Sequence, residues 1–374
     1  MSKLKELSAR GCAVWLDFVD KQFLDKGGLR KLVDEDGLTG VTSNPSIFEK
    51  AMGQGEAYDA GLAEFDRSNP DAATIDRYEW LAAADIRAAA DTLRPVYDRL
   101  GAKDGYVSLE VSPYIALDTD ATIAEAKKLW AMVDRPNLMI KIPGTDAGAP
   151  AIAATIREGT NVNVTLLFSQ AAYARVAEAY AMGLEERVAQ GLPIDRIASV
   201  ASFFVSRIDS TIDKEIDRRV GARDPEADAL KAIRGKVAVA NAKLAYQWYL
   251  GFLKSDRWRA LADKGAQPQR LLWASTGVKD KAYPDTLYVD QLIGPDTVNT
   301  MPPQTMDAFR DHGAVAGTLT DGVDEARQVL AEAERLGLDL DAVTTKLVEE
   351  GVASFVKSFD DLLGSIAAKH PANV

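Results

Sequence analysis

The sequence is poor in the residues on which several common kinds of active site depend. Its 374 residues include one cysteine, Cys12, and two histidines, His312 and His370. One cysteine excludes an internal disulfide framework and is typical of a protein in a reducing cytosol. Two histidines exclude a three-histidine metal site and disfavour histidine-based catalysis. We therefore expect no bound metal, assign no role to either histidine, and expect Cys12 to pack in the core.

Long apolar segments and nucleotide-binding loops are also missing. No stretch resembles a signal peptide or a membrane span, and there is no G-x-G-x-x-G or Walker motif. The net charge of −12 disfavours a nucleic-acid partner, and it means that any phosphate site must be locally basic. These features predict a cytoplasmic, soluble protein without a cofactor, a nucleic-acid partner or a membrane anchor. Its chemistry must then rest on lysine, carboxylates, amides and hydroxyls.

Short apolar runs alternate with stretches of helical composition along the chain, which predicts a parallel sheet. We expect eight strands, at 12–17, 38–42, 106–111, 138–142, 161–167, 197–205, 270–275 and 297–300. Eight such strands favour a single (β/α)8 TIM barrel over an open sheet, with 1–374 as one domain. Extra helices are expected after strand 2 (within 50–105), after strand 6 (within 206–268) and at the C-terminus. The oligomeric state is left open between monomer and homodimer.

Aromatic residues recur at helical spacing within 243–258, where Tyr246 and Tyr249 precede Leu250 and Leu253. This spacing permits a platform on which a sugar ring stacks. A packed helix face is the more common use of such a pattern, and we expect it here.

Polar side chains interrupt strands that should be apolar on both faces, because helices cover a parallel barrel. In the run LMIKI, Lys141 shares a face with Met139, while Leu138, Ile140 and Ile142 face the other way. Five successive strands carry polar residues near their C-terminal ends: Asp17, then Thr42 and Asn44, then Glu110, then Lys141, then Asn163. That end of a barrel carries the active site.

The polar set has two readings, a hydrogen-bonded plug or a reactive centre. For any single strand the plug is an adequate explanation. For the whole set we favour chemistry, because buried charges cost several kcal/mol each unless paired.

An amine among these groups predicts class I aldolase chemistry. Burial disfavours the charged form of an amine, so a lysine in such a site is in part a neutral nucleophile that attacks a ketone. Glu110 is placed to transfer protons as the carbinolamine becomes a Schiff base, and Asp17 to remove a hydroxyl proton during C–C cleavage. Asn44 and Asn163 would hold sugar hydroxyls.

Seven segments resemble signature blocks of the transaldolase family. They occur in the family's order over most of residues 12–303, and the last two resemble its long bacterial form. The segments are GVTSNPSIFEKAM (40–52), SLEVSP (108–113), MIKIPGT (139–145), NVNVTLLFS (161–169), FFVSRIDSTID (203–213), RLLWASTGVKD (270–280) and YPDTLYVDQLIGPDTVNTMPP (283–303).

The resemblance implies an enzyme of the non-oxidative pentose phosphate pathway that acts through a lysine Schiff base. It would transfer a dihydroxyacetone unit reversibly from sedoheptulose 7-phosphate to glyceraldehyde 3-phosphate, giving erythrose 4-phosphate and fructose 6-phosphate. Its partners would be these sugar phosphates, and no cofactor is implied.

The resemblance also implies a role for individual residues. Lys141 matches the Schiff-base lysine, Glu110 the proton-transferring glutamate and Asp17 the acid/base of the aldol step. The other matches are Thr165 (beside the catalytic water), Asn44 and Asn163 (substrate-holding), Ser202, Thr42 and Ser43 (lining), and Arg207 with Ser275 (phosphate).

One position departs from the family pattern. Shorter members have a second arginine two residues after the serine that Ser275 matches, where this chain has Gly277. Lys279 is the nearest basic residue, and we expect it to supply the second phosphate charge, although lysine lacks the bidentate fork of arginine. The alternative is a solvated loop lysine.

Two other functions stay open from the sequence. An aldolase that releases free dihydroxyacetone would have glutamine at Glu110 and tyrosine at Phe204, so both residues favour the transferase. A non-catalytic sugar-phosphate-binding barrel would have no need of Lys141.

Overall fold

The structure, a computed structural model, describes residues 2–53 and 56–369. Eight parallel strands close into a barrel in chain order, which confirms the predicted (β/α)8 architecture. The strands are β1 (Cys12–Asp17), β2 (Gly40–Thr42), β3 (Tyr106–Glu110), β4 (Leu138–Pro143), β5 (Val162–Leu167), β6 (Ser199–Phe204), β7 (Arg270–Ala274) and β8 (Thr297–Met301).

Helices cover the barrel on all sides. In chain order they are α1 (Lys3–Ala9), α2 (Lys21–Asp25), α3 (Gly28–Asp36), α4 (Pro45–Gly53), α5 (Asp59–Ser68), α6 (Thr74–Arg99), α7 (Thr119–Val133), α8 (Gly148–Arg157), α9 (Gln170–Ala189), α10 (Ser206–Gly221), α11 (Ala227–Ile233), α12 (Val237–Phe252), α13 (Asp256–Ala262), α14 (Leu287–Asp290), α15 (Pro303–His312), α16 (Val323–Arg335) and α17 (Leu340–Lys369), with a 3-10 helix at Pro113–Ile115. Across the described ranges, no helix has both the length and the apolar character needed to traverse a bilayer.

The extra helices lie where the sequence places them. Helices α5 and α6 follow α4 between β2 and β3, α11 to α13 follow α10 between β6 and β7, and α16 and α17 follow α15 after β8. Tyr246 and Tyr249 are buried in α12, which confirms a packed helix face there and not an exposed stacking platform.

Strand ends differ from the sequence prediction by a residue or two, most clearly at β2. Leu38 was expected in that strand but instead completes the end of α3, where its amide donates to the Leu32 carbonyl. Gly37 makes this turn possible because its φ of 71° is in the left-handed region.

The two ends of the barrel interior have different chemistry. At the N-terminal end Asp104 accepts hydrogen bonds from the Trp15 indole at 2.9 Å and from Arg270 at 3.2 Å. The ion pair of Asp104 and Arg270 is largely removed from solvent. The polar residues identified from the strand pattern lie at the C-terminal end.

Two non-glycine residues at the C-terminal strand ends have a positive φ. Leu166 has a φ of 59° within a register shift between Val164 and Leu167, and Ser275 has a φ of 55° directly after β7. Non-glycine residues with positive φ are uncommon, and such conformations occur often at functional sites.

Helix α17 lies across this end of the barrel. It packs on α4, α6, α10, the 3-10 helix and β5. Gly351 of α17 lets the helix approach closely, because a Cβ atom there would come within 2.8 Å of the Leu166 side chain.

Candidate active site

A pocket of about 200 Å³ opens at the C-terminal end of the barrel. Every site residue expected from the sequence lines it except Ser43, Glu110 and Asn163, which are buried; the prediction that Ser43 lines the pocket is therefore wrong. The lining residues are Asp17, Thr42, Asn44, Lys141, Thr165, Ser202, Phe204, Arg207, Ala274, Ser275, Gly277, Lys279, Thr300, Pro302 and Phe355.

Lys141 and Glu110 form a buried pair at the base of this pocket. Residues 110 and 141 are register partners on β3 and β4, so parallel pairing brings the two side chains together. The Lys141 ammonium donates to Glu110 Oε2 at 3.0 Å and to the Ser43 carbonyl at 3.1 Å. Burial raises the pKa of Glu110, the nearby Asp17 charge raises it further, and the Lys141 charge and hydrogen bond oppose both effects. A carboxyl in this state is suited to exchange a proton with the amine beside it.

Asp17 lies at the end of β1 and is held by a chain of hydroxyls. Thr42 donates to Asp17 Oδ1 at 2.6 Å, and the Thr300 hydroxyl lies 2.7 Å from that of Thr42. Since the Thr42 proton is directed to Asp17, Thr300 is the donor in the second bond. Removal from water raises the pKa of Asp17, with the Lys141 charge and the Thr42 hydrogen bond acting against it. The carboxyl is thereby oriented and tuned towards accepting a proton.

The two asparagines differ in what they offer a ligand. Asn44 caps α4 by accepting from the Ile47 amide at 3.0 Å, and it lines the pocket. Asn163 is fully buried, donates to Ser108 Oγ at 2.9 Å and accepts from Ser202 Oγ at 2.7 Å. Asn163 thus binds the protein through both ends of its amide, while Ser202 carries that network to the pocket wall.

Thr165 contributes a polar atom without a protein partner. It precedes the strained Leu166, and its hydroxyl is buried with no hydrogen-bond partner within the described ranges. A buried hydroxyl costs free energy unless it is hydrogen-bonded, so this one is available to a ligand or a water at the pocket wall.

Arg207 places a positive charge in the pocket wall. It lies in the first turn of α10, and its guanidinium covers the Phe204 ring with 5.2 Å between the carbon and the ring centroid. In the part of the chain that the structure describes, it has no carboxylate within ion-pair distance. Burial lowers its pKa, against the charge of Glu350. A half-buried, unpaired guanidinium at a helix N-terminus is suited to an anionic ligand.

The segment after β7 forms the neighbouring wall with Ser275, Gly277 and Lys279. The Ser275 hydroxyl lies 2.9 Å from that of Ser206, the residue before Arg207. Farther along, Asp280 pairs at 2.7 Å with Arg234, which also pairs with Asp217 of α10. These contacts fix the Lys279 segment to the helix that carries Arg207.

Besides Gly277, four lining residues were not among the site residues expected from the sequence: Ala274, Thr300, Pro302 and Phe355. Thr300 could have been found by the rule that identified Thr42, because it is polar and ends a strand. Phe355 lies in α17, and nothing in its local sequence sets it apart from other apolar helix residues.

The remaining residues discussed from the sequence lie away from the pocket. Cys12 is buried, and burial raises its thiol pKa to about 11. His312 is exposed between Asp285 and Asp311. His370 lies outside the described residues. No cluster of three or more histidine, cysteine or acidic residues is arranged for a metal within 2–53 and 56–369.

Comparison with known proteins agrees with the family resemblance. The family model described as Transaldolase/Fructose-6-phosphate aldolase matches residues 14–366. Transaldolase 2 of Nostoc sp. is 48% identical over 374 residues, covering 99% of this chain and 98% of the relative. Transaldolase 2 of Streptomyces coelicolor is 50% identical over 367 residues, covering 98% and 96%. The transaldolase of Thermobifida fusca is 48% identical over 373 residues, covering 100% and 99%. The chain therefore belongs to the transaldolase/fructose-6-phosphate aldolase family.

Proposed function

We propose that this protein is a transaldolase that carries a dihydroxyacetone unit on Lys141 from a ketose phosphate to an aldose phosphate. The observation that supports this most strongly is the Lys141 amine, buried at the end of β4 within 3.0 Å of Glu110 and open to the pocket. Recognition of a ketose needs no buried amine. Nucleophilic attack on the ketose carbonyl, in contrast, requires such an amine.

The first half-reaction joins the donor to Lys141. The neutral amine, having passed a proton to Glu110, attacks the ketose carbonyl and forms a carbinolamine. Glu110 then returns a proton to the departing hydroxyl, which leaves as water, and a protonated Schiff base remains. Ser202 and the Asn163 network hold the substrate hydroxyls, and Thr165 binds the water that leaves and later returns.

Cleavage and transfer then use Asp17. Asp17 removes the proton of the hydroxyl next to the bond that breaks, the first aldehyde departs, and the bonding electrons enter the Schiff base to give an enamine. The acceptor aldehyde takes the vacated place. Its carbonyl oxygen receives the proton from Asp17 as the new C–C bond forms, and water hydrolyses the new Schiff base.

Arg207, Ser275 and Lys279 bind the phosphate in this proposal. Three cations line or underlie the pocket, Lys141, Arg207 and Lys279, against Asp17 and Glu110, although the whole chain carries −12. Salt screens charges over about 8 Å, so acidic groups elsewhere on the protein repel a phosphate in the pocket only weakly. Sedoheptulose 7-phosphate, fructose 6-phosphate, erythrose 4-phosphate and glyceraldehyde 3-phosphate are the proposed substrates, in the pentose phosphate pathway of the cytoplasm. A monomer or a homodimer is the expected state.

An acceptor-dependence assay separates this function from that of an aldolase. With fructose 6-phosphate as donor, glyceraldehyde 3-phosphate should accumulate rapidly only when erythrose 4-phosphate is added. Rapid formation without any acceptor, together with free dihydroxyacetone, would instead show an aldolase. No product in either case would leave only sugar-phosphate binding.

A further inference from the structure

Helix α17 places an aromatic ring beside the reactive amine. The ring centroid of Phe355 lies 5.7 Å from Lys141 Nζ, and the ring forms part of the pocket wall. Phe355 is only 5% exposed. It is the one lining residue that comes from outside the barrel strands and the segments directly following them, among the residues the structure describes.

Contacts on both sides of Phe355 hold this ring in place. Before it, Gly351 lies directly against Leu166 at the end of β5. After it, Ser358 Oγ lies 2.7 Å from Ser46 Oγ of α4, and the Phe359 ring packs edge-on against Tyr78 with centroids 5.1 Å apart. The helix is thus fixed to the barrel through the two turns around Phe355.

Phe355 and Phe204 cover different parts of the pocket. Phe204 lies under the guanidinium of Arg207 and packs on Phe168 at 5.2 Å, so it belongs to the phosphate wall. Phe355 lies at the amine. Its ring has no hydroxyl that could hold a water or donate a proton to a carbon attached to Lys141.

We propose that Phe355 keeps water away from the Lys141-bound enamine and so determines whether the three-carbon unit is transferred or released. This inference depends on the proposed function. Release requires a proton on the enamine carbon, which gives the Schiff base of dihydroxyacetone. Water then adds to the C=N carbon and the C–N bond breaks, so that enamine and one water give free dihydroxyacetone and the Lys141 amine. Transfer itself uses the water at Thr165 and the proton on Glu110, and only release requires a proton on the enamine carbon. The apolar ring beside the nitrogen keeps a further water or acid from reaching that carbon.

The test compares dihydroxyacetone release without acceptor with transfer in the presence of erythrose 4-phosphate. Phe355→Ala opens the wall, and we expect the ratio of release to transfer to rise by about tenfold or more, a change in relative barrier of roughly 1.4 kcal/mol. Phe355→Leu keeps an apolar side chain and should raise the ratio less. After donor is removed, the amount of intermediate that borohydride can still trap should also fall faster with time in Phe355→Ala.

Phe309→Leu is the matched control, because Phe309 is a buried phenylalanine of α15 that does not line the pocket and makes none of the contacts that hold Phe355. Its ratio should equal that of the wild type. An unchanged ratio of release to transfer in Phe355→Ala, with both rates falling together, would overturn the inference. If Phe355→Ala does not fold, the same comparison is made with Phe355→Leu, and an unchanged ratio there would overturn it. Absence of transfer in the wild type would instead contradict the proposed function.

Discussion

At the scale of single residues, the burial of Glu110 and the burial of Lys141 depend on each other. Each is buried, and each is the only oppositely charged partner that the other has within ion-pair distance in the described chain. An isolated buried charge would cost several kcal/mol, so the pair is a condition for keeping the amine inside the barrel. It also provides a direct path for the proton that the amine must lose.

Replacing Glu110 by glutamine should slow formation of the Schiff base. The amide keeps the shape and a hydrogen-bond acceptor but exchanges no proton, so we expect a loss of about 10²–10⁴-fold in the single-turnover rate of imine formation. Rapid-quench trapping of the adduct measures this rate.

Glu125→Gln provides the control for that experiment. Glu125 is a partly buried carboxylate on α7 that accepts from the Ser112 amide at 2.6 Å, beyond the end of β3 and outside the pocket. It should leave imine formation unchanged. Equal imine rates in Glu110→Gln and the wild type would refute the proton-transfer role.

Arg207 should lower the stability of the protein and raise its affinity for phosphate. Arg207→Leu removes a half-buried cation that has no ion-pair partner, so we expect the free energy of unfolding to rise by ~1 kcal/mol. A charge-assisted hydrogen bond contributes about 1.5–3 kcal/mol, so kcat/KM for a phosphorylated acceptor should fall by roughly 10–150-fold.

An unphosphorylated aldehyde acceptor tests the specificity of that loss. Denaturant titration and steady-state kinetics with both acceptors separate the two effects of Arg207→Leu. Equal losses for both acceptors would show that Arg207 supports the pocket structurally without binding phosphate.

The residues of the pocket that the strand pattern could predict are those on β1 to β5. A two-residue period states which side chains point inward, and parallel pairing places strand ends together, so Lys141, Glu110 and Asp17 follow from the sequence. Arg207 and Ser275 followed only from resemblance to a family. Phe355 followed from neither, because its position depends on tertiary packing of a helix far from β8 in the chain.

At the scale of elements, α17 depends on one small residue. The Cβ atom of an alanine at 351 would lie 2.8 Å from Leu166 Cδ2 and 3.6 Å from Arg207 Nη1. Leu166 is 1% exposed, so its side chain is packed on all sides and has little room to move aside. Helix α17 would have to retreat from the end of β5.

Gly351→Ala should therefore destabilise the protein and lower its activity. Overpacking costs about 1–3 kcal/mol, which denaturant titration measures directly. Gly364→Ala lies on the same helix with nothing within 4 Å of the added Cβ, and it should raise stability by up to ~1 kcal/mol through helix propensity. Equal effects of the two changes would contradict the close approach at Gly351.

Strands and helices were predicted well, and their packing less so. Alternation of apolar runs with helical segments identified all eight strands, since each strand is buried on both faces. The apolar positions of α17 indicate a buried face, but amphipathicity does not state which surface covers it. That α17 crosses the barrel mouth is a result of the structure alone.

For the molecule as a whole, pH should act on stability through Asp209. This carboxyl of α10 is 1% exposed and accepts from the Ala238 amide at 2.8 Å and from the Tyr288 hydroxyl at 3.0 Å. Burial raises its pKa from 3.8 to about 7. The folded protein then binds more protons than the unfolded chain between these two values, so stability falls as pH rises through that window.

Asp209→Asn should remove this pH dependence, because asparagine resembles the protonated carboxyl. The free energy of unfolding of the wild type relative to the variant should fall between pH 4 and pH 8, by up to ~4 kcal/mol. Denaturant titrations of both proteins at several pH values measure the difference. A difference that is constant across pH, or that grows in favour of the wild type, would contradict the raised pKa.

The family and the barrel expected from the sequence are confirmed at this scale, and the roles of the pocket residues, the single-domain organisation and the oligomeric state remain predictions. The net charge of the chain says little about the charge of its pocket. The chain carries −12, yet among the residues that the structure describes the only charged ones lining the pocket are Asp17 and the cations Lys141, Arg207 and Lys279. Folding, not composition, brings these cations together.

Borohydride reduction in the presence of fructose 6-phosphate, followed by peptide mapping, tests the central claim most directly. We expect one three-carbon adduct, on Lys141, and none in Lys141→Ala, whose cooperative unfolding should persist. An adduct on another lysine, or no adduct on a protein that still transfers the three-carbon unit, would contradict the account.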